Sequence, residues 1–219
     1  MNKTKTLAIT GILTGMVFLL GMTPIGLIPL GFINLTIVHI PVIIGSMLTE
    51  RKTSILLGLA FGIASTLAAF GLSLAAQSGL AMALLAYSPL AVIAMCIIPR
   101  ILVPLVTRSV YDLLTKLILK NDTENTLKQS TVITISAILG SLTNTVFYLG
   151  LMGVFFYYYG IWGRFTAIFS VTLAIGALCE AIAAAVISSP VVIAVSKRTS
   201  YRKRYNKKSI TGIDENNDM

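Results

Sequence analysis

Charge is what this sequence has least of. Only 11% of its 219 residues are Asp, Glu, Lys or Arg, while 56% are hydrophobic. Soluble domains are about one quarter charged, so an ordinary water-soluble globule is excluded. Histidine is also scarce: His39 stands alone. Neither HExxH nor CxxC occurs, so the familiar zinc and redox spacings are absent. The two cysteines, Cys96 and Cys179, lie far apart in apolar runs and read as small buried hydrophobes. No GxxxxGK[ST] loop is present, so the chain cannot hydrolyse ATP by that route. The serines lack a histidine base in any recognisable motif, and no Ser/His or Asp/Asp pair lies within the spans. These absences argue against an enzyme and imply neither a cofactor nor a metal.

What remains is a set of long apolar runs, the pattern of an all-α, polytopic membrane protein. Six spans are expected, at about Thr6–Leu20, Leu35–Leu48, Ser54–Phe70, from Pro89 onward, Thr131–Met152 and Ala167–Val195. The first resembles a signal peptide in charge order. No polar domain follows it and another span begins soon after, so it reads as a retained helix. Gly71 to Ser88 is uncharged and broken by Gly79 and Pro89, and reads as a partly helical outer loop. Residues 1–196 then form one six-helix domain. Residues 197–219 form a basic tail, expected to be disordered.

The net charge of +9 does not point to nucleic acid. Lys3, Lys5, Arg51, Lys52, the basic residues from Arg108 to Lys128 and those of the tail fall in alternate loops. The other loops hold only Arg164. The positive-inside rule puts both termini in the cytoplasm, supports an even number of spans and suits a plasma-membrane protein.

The segment Gly21–Pro41 carries no formal charge and is interrupted by glycines and prolines, so it is not expected to be one continuous helix. It leads Asn34, Thr36 and His39 into the membrane, as in sites built near a bilayer surface. Arg100 and Glu180 are the two charges expected at depth. An ionised side chain there costs at least about 2.5–3.5 kcal/mol, so each needs a partner or a polar cavity. They pair with each other, or Arg100 snorkels to an interface, or one or both face a ligand. Asn144 shares a helix face with Ser141 and Tyr148, either for ligand recognition or for an interhelical hydrogen bond. Gln77, Tyr87 and Ser88 lie in the uncharged outer loop, where a lid would be. Trp162 and Tyr157–Tyr159 suit a membrane interface or a lid. Gly11 and Gly15 form a small-xxx-small pair that lets another helix approach.

Read together, GFINLTIVHIPVIIGSML, GLAFGIASTLAAF, AYSPLAVIAMCIIPRILVPL and ILGSLTNTVFYLG resemble the S-component of energy-coupling factor (ECF) vitamin transporters. The resemblance is strongest to the pantothenate-type members and covers about residues 5–195. It implies a six-helix bundle with both termini cytoplasmic and an outer cavity closed by the loops after the first, third and fifth helices. It also implies partners: a transmembrane coupling subunit and two cytoplasmic ATPases. The group usually has AxxxA on its first helix, packed on the coupling subunit; here those positions are Gly11 and Gly15. Pantothenate offers a carboxylate, an amide and two hydroxyls, which Arg100, Asn144, His39 and the loop residues could satisfy. Another vitamin (folate, a pyridoxine-like compound, riboflavin), a secondary transporter, or a structural membrane protein without a ligand are the alternatives.

Overall fold

A computed structural model of the chain describes residues 3–29, 34–74, 77–119, 125–163 and 176–197. Within these, seven helices form: α1 (Lys3–Gly21), α2 (His39–Leu48), α3 (Arg51–Ala69), α4 (Gly79–Leu85), α5 (Pro89–Ile118), α6 (Thr126–Tyr158) and α7 (Gly176–Lys197). A short antiparallel hairpin, β1 (Leu27–Pro29) with β2 (Asn34–Thr36), precedes α2. The fold is helical, as expected. α3, α5, α6 and α7 are long and apolar enough to cross a membrane.

The second span is shorter than the sequence pattern predicts. Asn34, Leu35 and Thr36 are extended and pair with Pro29, Ile28 and Leu27, so the helix begins only at His39. Its ten residues rise about 15 Å, half of a bilayer's roughly 30 Å hydrocarbon core. Pro41 falls in the first turn, where its missing N–H costs no helix bond. α2 is apolar on every side, and all its residues from His39 to Met47 are buried. It is the central post of the bundle, packed against α1, α3, α5 and α6.

The other helices have clear causes. Ser88 caps α5 by accepting the Ala91 N–H, and Pro89 follows at the first helical position. Asn125 caps α6, accepting from the N–H groups of Leu127 and Lys128. α3 and α5 pack closely where Gly58 meets the Arg100 carbonyl and the Pro104 ring. The α2–α3 turn is fixed to the far half of α5. Arg108 donates to the carbonyls of Ser46 (3.2 Å) and Thr49 (2.6 Å) and pairs with Asp112 at 2.9 Å. A guanidinium there satisfies carbonyls at the end of α2 and opposes its dipole.

α6 and α7 meet through Ser130 and Ser189, 2.8 Å apart. Ala184 and Val192 of α7 join the same core as α1, α2 and α3. Cys96 is buried as expected, but Cys179 is exposed on α7, on a face shared with Leu178 and Ile182. The start of the expected sixth span, the first half of the linker Lys120–Gln129, the tail beyond Lys197, and Arg164 lie outside the described residues.

Candidate functional site

A concavity opens between the hairpin, α3, α4, α5 and α6. Its cavity volume is about 60 Å³, so a vitamin-sized ligand would need the walls to part. Leu27 and Thr36 come from the hairpin, Ser65 and Ala68 from α3, Ala81 from α4, and Cys96, Arg100 and Tyr148 from the long helices. Its walls are mostly apolar, with a few convergent polar groups, the usual make-up of a small-molecule site.

Among the described residues, Arg100 is the only charged one lining this pocket. It is buried, and one terminal nitrogen donates to the Met95 carbonyl at 3.0 Å. The guanidinium lies 4.2 Å from the centroid of the Tyr148 ring and 5.3 Å from that of Phe61. Ring faces stabilise a cation by about 0.5–2 kcal/mol, less than the cost of burying it. Nε has no hydrogen-bond partner, and among the described residues Arg100 makes no ion pair.

Glu180 makes no direct ion pair with Arg100, although it is near enough to feel its charge. One of its oxygens accepts the backbone N–H of Thr36 at 2.8 Å, and the other accepts the Thr145 hydroxyl at 2.8 Å. A single carboxylate on α7 thus ties the hairpin to α6 and fixes the strand that lines the pocket.

α2 and α6, which pack against each other, carry further buried polar residues. Thr36 and Thr145 share Glu180, and a Cβ on Gly140 would lie 3.3 Å from Ile43 Cγ1. Between these two anchors, His39 on α2 and Asn144 on α6 stand at neighbouring levels. Asn144 Oδ1 and Ser141 Oγ are buried without a hydrogen-bond partner, and the buried His39 ring, without a well-aligned hydrogen bond, lies against the backbone of Thr36 and Glu180. Buried polar atoms are rarely left so.

The sequence matches no protein-family model and no curated protein. The site is therefore read from its own chemistry.

Of the candidates from sequence, Thr36, Arg100 and Tyr148 line the pocket. His39 and Asn144 are not among its lining residues. Asn34 is in β2, and its side chain lies outside the described residues. Gln77 donates to the Ala69 carbonyl at 3.0 Å and so ends α3. It packs against Gly71, whose φ of 77° favours glycine. Ser88 is occupied as a helix cap. Tyr87 is exposed and stacks with Tyr159, centroids 5.9 Å apart. The loops after α1 and α3 are joined by the Leu74 N–H to the Met22 carbonyl at 2.9 Å. Ser65, Cys96, Phe61 and Thr145 complete the site and were not among the site residues expected from the sequence. Only Thr145 had a signal, as the neighbour of Asn144.

Proposed function

We propose that the chain is the substrate-binding membrane subunit of an energy-coupling factor transporter, and that pantothenate is its cargo. Arg100 carries this reading. It is a buried cation lining a pocket, and among the described residues no carboxylate lies within ion-pair distance of it, Glu180 acting on it only at longer range. A cargo carboxylate would supply that direct partner and form charge-assisted hydrogen bonds. The ring of Tyr148 and the hydroxyl of Thr36 border the same space. The buried polar groups of His39, Ser141 and Asn144 would hold the amide and hydroxyls, through water or through rearrangement on binding.

In this reading the subunit does no chemistry. α1 and α2 complete six crossings, α2 by way of the hairpin. Both termini are cytoplasmic in the plasma membrane, and partner ATPases drive uptake through a coupling subunit. The open face of α1 supports a docking role. A Cβ on Gly11 or Gly15 would meet nothing within 4 Å, and Leu7, Ile12, Met16 and Leu19 beside them are exposed.

Binding of pantothenate to the purified full-length protein tests the reading. Saturable binding tighter than micromolar is expected, weakened by Asn144→Ala. Affinity no tighter than micromolar would sink the substrate assignment.

A further inference from the structure

Pro99 precedes Arg100 inside α5. In an unbroken helix the N–H of residue 99 would bond to the carbonyl of Met95. Proline has no N–H, so that carbonyl is left open at a buried level of the bundle: Met95, Cys96 and Pro99 are all buried. An orphaned carbonyl there needs another donor. The donor is the Arg100 guanidinium, at 3.0 Å. This bond draws the side chain back along the helix and over the Tyr148 ring. Pro104 repeats the device one turn on, since its missing N–H frees the Arg100 carbonyl, against which Gly58 packs.

Resting on the reading of Arg100 as the carboxylate-binding group, we infer that Pro99 is a positioning residue. By vacating the Met95 carbonyl it anchors one arm of the guanidinium and aims the rest into the pocket. Pro99→Ala supplies an N–H that competes for the Met95 carbonyl along the helix axis, and the guanidinium's anchor is weakened.

The experiment measures the affinity of purified full-length protein for pantothenate and for its alcohol analogue, which lacks the carboxylate. The proteins are wild type, Pro99→Ala, Arg100→Gln and the double variant. Pro99→Ala is expected to weaken acid binding about tenfold, the scale of one charge-assisted bond. Alcohol binding stays unchanged, and Pro99→Ala adds nothing in the Arg100→Gln background. Equal weakening of acid and alcohol, or a full effect in the Arg100→Gln background, would overturn the inference, because proline would then only shape the helix. Equilibrium unfolding of the same four proteins reads the anchor without any ligand. The loss of stability caused by Arg100→Gln should be smaller when Pro99 is already Ala, and simple additivity would overturn the anchor. A wild type that binds neither compound, yet shows that non-additivity, would refute the pantothenate reading and leave the anchor standing.

Discussion

Removing the Glu180 carboxylate is expected to loosen the pocket from outside its lining. Glu180→Ala deletes two hydrogen bonds to a charged acceptor, from the Thr36 N–H and the Thr145 hydroxyl, both at 2.8 Å. Bonds of this kind contribute about 1.5–3 kcal/mol each. Part of that sum is offset, because alanine also removes the cost of burying a carboxylate. The net loss should be about 2–4 kcal/mol. Glu180→Gln has the same shape. Its oxygen still accepts from Thr36, and the Thr145 hydroxyl can rotate to accept from the new amide. That variant should lose about 1 kcal/mol or less. Equilibrium unfolding in mixed micelles measures both, and pantothenate affinity should fall in the same order because Thr36 lines the pocket. The reasoning fails if Glu180→Ala lies within about 0.5 kcal/mol of wild type, the range of an inconsequential surface change. It also fails if Gln is as damaging as Ala.

Four further outcomes follow from the packing. Gly58→Ala would place a methyl 2.6 Å from the Arg100 carbonyl oxygen and 2.7 Å from Pro104 Cγ; overpacking of about 1–3 kcal/mol should appear as lower stability in the same unfolding assay. Arg108→Ala frees the carbonyls of Ser46 and Thr49 and should cost about 1–3 kcal/mol. Asp112→Ala, which removes only a part-exposed i,i+4 pair, should cost under about 1 kcal/mol. Gly15→Leu meets open space, so it should leave unfolding unchanged while abolishing co-purification of a coupling subunit and ATPases. A loss of stability instead would mean that this face packs within the chain.

The helical class was legible because the apolar runs are long and the charges fall between them. The ends of α5 and α6 were less so. The apolar pattern of the fifth span begins at Thr131, yet the helix starts at Thr126 because Asn125 caps it, and it runs on through the aromatic Phe155–Tyr158. Hydropathy registers lipid contact, not hydrogen-bonded length. The hairpin escaped notice for a related reason. Gly21–Pro41 announces that it cannot be one helix, but three-residue strands leave no period to detect. At the site, Arg100 and Glu180 were conspicuous as rare charges at depth. Their separation was not readable. A bond from Glu180 to the backbone of Thr36 depends on where the hairpin lies, and backbone partners have no sequence signature. Phe61 illustrates the same limit, since an apolar residue in an apolar helix gives no sign that a cation rests on it.

The most direct measurement is mass spectrometry of the small molecule carried by protein purified from membranes of cells supplied with pantothenate. The account expects pantothenate, one molecule per chain, with occupancy lost in Arg100→Gln. A protein that carries nothing, or a neutral compound held equally by wild type and Arg100→Gln, would contradict it.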